Sequence, residues 1–241
     1  RKNIIKMTKE EFIKALEDLG IEVNEAILNK LDILTTELIN YNKHTNLTRI
    51  LEVNDIYLKH YYDSLTITKI IDLTTINNLI DLGTGAGFPG LIIKIFYPNI
   101  DVTLLDSNIK KTTWLKYITD VLDLKVNIIH DRIENYSKNY LNYYDVVTSR
   151  AVANLRVLTE LSLPLVKTDG YFIPLKANLD NEMTDLTGTL NHFSAELIDK
   201  KSFTLINEGS VRNILKYKKN SISNINDIRS YDKILKKPLK K

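Results

Sequence analysis

Apolar positions recur along this chain with two different spacings, and the change of spacing divides it. Near the start, Thr8 and Glu11 form a capping-box pair ahead of Phe12, Leu16 and Leu19 at helical intervals, and Gly20 closes the segment. Asn24 opens a longer helix. Its apolar residues Ile27, Leu31, Leu34, Leu38 and Tyr41 step by four and three, which defines one buried stripe. A third helical stretch is predicted from about Asp55 to Ile71, so residues 1–75 form a helical entry region packed on the core. Residues 1–6 precede the first helical signal and carry no weight in this reading.

Beyond it, short β-rich runs alternate with helical ones. Strands are predicted at Leu79–Leu82, Val102–Asp106, Val126–His130, Tyr144–Thr148 and Tyr171–Leu175, with helices over 90–96, 108–122, 154–166 and 178–193. Continuous apolar strands separated by helices mean a parallel sheet covered on both faces. Two further strand-like runs, 195–206 and 211–218, flank the Asn207–Ser210 turn with its Gly209 and predict an antiparallel hairpin at one edge. The expected fold class is therefore α/β: a doubly wound, mostly parallel, seven-stranded Rossmann-like sheet over residues 76–220. An N-terminal helical region precedes it, and a basic tail over 221–241 completes the chain.

Composition narrows the classes. With 44% hydrophobic and 26% charged residues, the 241-residue chain suits a globular domain with a sizeable core. No apolar run approaches the roughly 20 residues that span a bilayer. The absence of cysteine excludes disulfides, a zinc thiolate site, a thiol nucleophile and an iron–sulfur cluster. No metal site is expected. A cytoplasmic address and a monomer fit, and no membrane association is expected. The net charge of +3 hides an asymmetry: from Arg212 to Lys241 there are ten Lys/Arg against Asp227 and Asp232, which leaves −5 for residues 1–211. A basic edge of this kind reads either as a solvated tail or as a surface for a polyanion, because cations that neutralise phosphates dominate nucleic-acid affinity.

The sharpest motif is Asp81-Leu82-Gly83-Thr84-Gly85-Ala86-Gly87-Phe88-Pro89-Gly90, between the first strand and its helix. A doubly wound sheet binds its ligand at that place, and alternate glycines allow tight bends with no Cβ between chain and ligand. Gly85-x-Gly87-x-x-Gly90 also satisfies a nicotinamide dinucleotide fingerprint, with Asp106 near the ribose position, so an NAD(P)-dependent oxidoreductase is one reading. Asp81 argues the other way, because a carboxylate before the first glycine repels a diphosphate and welcomes the ammonium and sulfonium of S-adenosylmethionine. Asp106 reads as an acceptor for both ribose hydroxyls or as a cap for the next helix. Ile133 and Glu134 would meet the adenine, Glu134 being otherwise a surface acid.

In combination these residues resemble the small-subunit ribosomal RNA methyltransferase G family, also called glucose-inhibited division protein B. The resemblance runs through Asn42-x-x-x-Asn46-Leu47-Thr48, His60-x-x-Asp63-Ser64-Leu65, the glycine turn, Leu104-Leu105-Asp106-Ser107, Asp131-Arg132-Ile133-Glu134, Ser149-Arg150-Ala151 and Leu175-Lys176. It implies a class I S-adenosylmethionine-dependent methyltransferase acting on N7 of a guanine in the 530 loop of 16S ribosomal RNA, as naked RNA or in the small subunit. It implies cofactor contacts at Gly83, Phe88, Ile133, Glu134 and Arg150, with class-wide roles for Asp81, Gly85 and Asp106. The tail departs from the family pattern: Arg229-Ser230-Tyr231 through Pro238-Leu239 keeps the basic, proline-ended frame without the family's Pro-Arg-Lys run.

Guanine N7 carries a lone pair and no proton, so the transfer requires positioning and no general base. Arg150, at the end of a buried strand, is the candidate positioning residue: it would hold the cofactor carboxylate, a phosphate or the guanine, or else form a salt bridge to Asp145 or Asp81. Lys176 is a similar candidate. His44 and His60 read as structural or RNA-facing. Expected RNA contacts are Lys43, Asn46 and Arg49 in the entry region and Lys233, Lys236 and Lys237 in the tail, with Phe88 and Tyr61 as stacking surfaces. A non-catalytic RNA-binding module on the same fold is the remaining alternative.

Overall fold

A computed structural model describes residues 7–150, 153–177, 179, 183 and 186–239. Two helices open the chain, each fixed by the side chain before it. Thr8 and Glu11 close a reciprocal capping box on α1 (Lys9–Glu17), and the Asn24 side chain accepts from the Ile27 amide to start α2 (Glu25–Thr45). The predicted third helix is present but not uniform. It runs as α3 (Val53–Ile56), a π-helical turn (Tyr57–Tyr62), α4 (Asp63–Leu65) and a final 3₁₀ turn (Thr66–Lys69). The wider turn carries Lys59 and His60, and π insertions of this kind concentrate at functional sites.

The sheet region contains β1 (Asn78–Leu82), α5 (Gly90–Phe96), β2 (Asp101–Asp106), α6 (Ile109–Val121), β3 (Asn127–His130), α7 (Ile133–Tyr136), β4 (Tyr144–Arg150), α8 (Leu155–Ser162), β5 (Val166–Lys176), α9 (Thr187–His192), β6 (Ala195–Thr204) and β7 (Val211–Lys219). Strand order is β3-β2-β1-β4-β5-β7-β6. The first five strands are parallel, while β7 pairs antiparallel with both β5 and β6. The fold is thus the expected seven-stranded α/β sheet with an antiparallel hairpin at one edge. The order reverses between β1 and β4, which is where such sheets bind ligands.

Alternation along the strands splits the core in two. Leu79, Leu104, Val146, Ile173 and Ile214 join one buried cluster with the entry helices, α5 and α6. Their neighbours Ile80, Leu105, Val147, Phe172 and Leu215 face the other way, onto α8 and the chain's last helix, α10 (Tyr231–Lys236). The entry region and the sheet therefore share one apolar interior. Two expected elements are shorter: the helix over 154–166 ends at Ser162 because β5 begins at Val166, and of the one over 178–193 the described helical residues are Met183, in a 3₁₀ turn, and α9. Among the described residues no helix is long and apolar enough to cross a membrane.

Candidate functional site

The glycine turn between β1 and α5 is shaped by backbone that only glycine adopts freely. Gly83, Gly85 and Gly87 have φ of 62°, 62° and 109°. Gly90 is required for a different reason, close approach: a Cβ there would lie 2.9 Å from Asp81 Cβ and closer still to Leu104 Cδ2. The turn is braced from inside by Asp81, whose Oδ2 accepts from Thr84 Oγ1 at 2.7 Å and from the Gly90 amide at 2.8 Å. This corrects the electrostatic argument made from the sequence. The Asp81 carboxylate is fully buried and bonded to the turn, not displayed to a ligand. Burial pushes it up to about 7 despite those hydrogen bonds, and its Oδ1 has no partner.

Two clefts open side by side at the carboxyl ends of the parallel strands. The first, of about 380 Å³, lies over β1, β2 and β3 and is lined by Gly83, Asp106, Lys111, Ile133, Glu134 and Tyr231, among others. Asp106 sits on its floor. Its Oδ2 accepts from the Gly85 amide at 2.9 Å and its Oδ1 from the Asn108 amide at 2.9 Å, while Asn108 itself caps α6. Ile133 is buried, and Glu134 takes the Arg132 guanidinium at 2.8 Å. Gly83, Asp106, Ile133 and Glu134 thus come together as one site, with Gly85 holding the floor from behind.

Phe88 and Arg150 lie elsewhere. Arg150 lines the second cleft, about 440 Å³, with Lys59, Asp63, Lys176 and Arg212. Its guanidinium donates to the Lys59 carbonyl at 2.6 Å, to Asp63 Oδ2 at 3.2 Å and to His60 Nδ1 at 3.1 Å. The salt bridge is therefore to Asp63, not to Asp145 or Asp81; Asp145 pairs with Lys167. Asp63 also accepts from Arg212 Nε at 3.1 Å. A guanidinium only donates, so His60 accepts at Nδ1 and donates from Nε2 to Thr48 Oγ1, 3.0 Å away. Burial, with Arg150 beside it, pulls His60 down to about 3, leaving it neutral with both nitrogens engaged.

Phe88 stacks on His60 with ring centroids 4.3 Å apart. Phe88 and Tyr61 are both buried, so neither offers the stacking surface expected of it. Lys43, His44, Asn46 and Arg49 are exposed around the end of α2, which Asn46 caps in the left-handed conformation. Lys233, Lys236 and Lys237 are exposed on and just after α10, while Ala151, Lys240 and Lys241 lie outside the described residues.

Three site residues carried a signal that the sequence pattern alone did not turn into a role. Asp63 stood in the His60-x-x-Asp63 motif without an assignment, Arg212 counted only as tail charge, and Tyr231 only as a tail residue. Asn42 joins the same group, its Oδ1 accepting from the Thr48 amide at 2.9 Å, so the two entry-region motifs close one network onto Arg150.

Residues 27–213 match the protein family described as rRNA small subunit methyltransferase G. The ribosomal RNA small subunit methyltransferase G of Acholeplasma laidlawii is 39% identical over 223 residues, covering 92% of this chain and 96% of that one. The one from Bacillus velezensis is 42% identical, covering 87% and 89%. In fold, the chain resembles M. jannaschii TYW2, solved in complex with AdoMet, at a TM-score of 0.50 and 14% identity over 60% of this chain and 71% of that one.

Proposed function

Because the chain belongs to the rRNA small subunit methyltransferase G family, we propose that this rRNA methyltransferase uses S-adenosylmethionine to methylate N7 of a guanine in the 530 loop of 16S ribosomal RNA. The observation that carries the reading is the pairing of the two clefts: an acceptor-rich one beside a cationic one, across the point where strand order reverses.

The first cleft suits an adenosine and not a dinucleotide diphosphate. Asp106, Asp131 and Glu134 outnumber Lys111 and Arg132 around it, and the Gly85 amide is already given to Asp106. Hydroxyls of a ribose donate to such carboxylates, whereas a diphosphate would be repelled by them. Leu105, Ile133 and Leu161 supply the apolar surface a purine needs. The dehydrogenase alternative therefore loses both its family and its chemistry.

When bound, S-adenosylmethionine supplies a sulfonium methyl, an electrophile that asks only for a lone pair. Guanine N7 has one without losing a proton, and the groups beside Arg150 are already committed. His60 is neutral, buried and spent on Arg150 and Thr48, and Asp63 is held by Arg150 and Arg212. The work left to the protein is orientation and exclusion of water. Arg150, Arg212, Lys59 and Lys176 give the second cleft a positive lining suited to RNA phosphates or the guanine O6. Asp63 and His60 act through Arg150 as positioning residues.

Incubation with tritium-labelled S-adenosylmethionine and small subunits lacking the mark tests this directly. Label should appear in 16S RNA, and mapping should place it at N7 of a guanine in the 530 loop. Label at another atom or in another RNA would reject the assignment.

A further inference from the structure

The C-terminal segment counts in the sequence as tail charge, yet it folds back against the first cleft. We propose that residues Arg229–Lys237 are part of the cofactor site, with the Tyr231 ring contacting the purine. This rests on the adenosine reading of the first cleft.

Tyr231 lines that cleft together with Asp106, Ile133 and Glu134, and among the described residues it is the only aromatic one lining it. The other apolar lining, Leu105, Ile133 and Leu161, is aliphatic. A purine is a flat π-system, and an aromatic wall gives it a stacking or edge contact that aliphatic carbons do not. Arg132 lies over the Tyr231 ring, its Cζ 5.7 Å from the centroid. Glu134 takes Arg132 Nε at 2.8 Å and the Tyr231 amide at 3.4 Å, which links the cleft wall to the first turn of α10.

The segment is anchored. Arg229 forms a two-point pair with Glu160, Nε to Oε1 at 2.5 Å and Nη2 to Oε2 at 2.7 Å, and the Glu160 side chain is 1% exposed. Arg229 Nη1 also donates to the Lys237 carbonyl at 2.8 Å, and Arg156 Nη1 to the Ile234 carbonyl at 3.0 Å. Ile234 is buried in the core. A two-point guanidinium pair of this kind fixes geometry as well as charge.

Calorimetric binding of S-adenosylhomocysteine, without RNA, reads the contact apart from turnover. Tyr231→Ala should weaken binding by about tenfold, and Tyr231→Phe should stay within about twofold of wild type, because the ring and not the hydroxyl makes the contact. Equal binding by wild type and a folded Tyr231→Ala would overturn the proposal alone. Wild type that fails to bind would overturn the adenosine reading first. Should Tyr231→Ala not fold, Tyr231→Trp decides: its fluorescence should be quenched on titration with S-adenosylhomocysteine beyond any change in wild type, whose one tryptophan is the buried Trp114. No added quenching would sink it.

Discussion

Asp81 and His60 both sense the charge of Arg150, yet they respond to pH in opposite senses. His60 falls from 6.5 to about 3 on folding, so the folded state binds fewer protons, and stability rises with pH between those values. Asp81 climbs from 3.8 to about 7, so the folded state binds more protons, and stability falls as pH rises through that window. The two oppose each other from about pH 4 to 6.5, each with a limiting slope of about 1.4 kcal/mol per pH unit. Urea melts across that range should show each variant exposing the other group. Relative to wild type, Asp81→Asn should gain stability as pH rises, and His60→Gln should gain it as pH falls. Parallel profiles for wild type and variants would count against both assignments. Gly90→Ala should cost about 1–3 kcal/mol by overpacking Leu104 and Asp81, and should weaken S-adenosylhomocysteine binding with it. The glycine spacing and Asp81 were legible as residues, but the direction of the carboxylate was not. A strand's last residues alternate faces, and nothing local says that a carboxylate will turn inward to brace its own bend.

Among elements, those with both a period and a cap were read most accurately. Thr8 and Asn24 start α1 and α2 where the side-chain pattern puts them, and the β-rich runs fall on the strands to within a few residues. Asn24→Ala should lower stability by about 1 kcal/mol through loss of the Ile27 amide bond, and chemical denaturation should detect it. The π turn was invisible. Apolar positions over 55–71 fit a 3.6 period well enough, and one extra residue per turn at Tyr57–Tyr62 leaves that pattern nearly intact. It nonetheless decides where the Lys59 carbonyl and His60 stand relative to Arg150. Pairing of β7 with β5 as well as β6 was equally hidden, since a hairpin in sequence does not reveal which of its strands lies inward.

For the molecule as a whole, counting charge along the chain overstated how much of it is available. Of the ten cations from Arg212 onward, Arg212 pairs with Asp63, Lys218 with Asp169 and Arg229 with Glu160. Lys216 bonds the Ile70 carbonyl, and Lys219 is fully buried on Asn142 and two carbonyls. Lys233, Lys236 and Lys237 remain exposed among the described residues. Replacing these three by Gln should weaken rRNA binding and flatten its logarithmic salt dependence by about 2, near 0.7 per phosphate contact on single-stranded RNA. An unchanged slope would place the RNA elsewhere. Fold class and the grouping of Gly83, Asp106, Ile133 and Glu134 around the first cleft were thus readable from local pattern, while the second cleft was not, because Lys59, Asp63, Arg150 and Arg212 meet only through tertiary contact across 149 positions of sequence between Asp63 and Arg212.

That meeting bears on any attempt to dissect the gene. The guanidinium of Arg150 belongs to β4, but the groups it donates to, the Lys59 carbonyl, His60 and Asp63, all come from before residue 75. A minimal fragment begun at β1 would keep the whole glycine turn and still leave its strand-end arginine without those three groups that aim it.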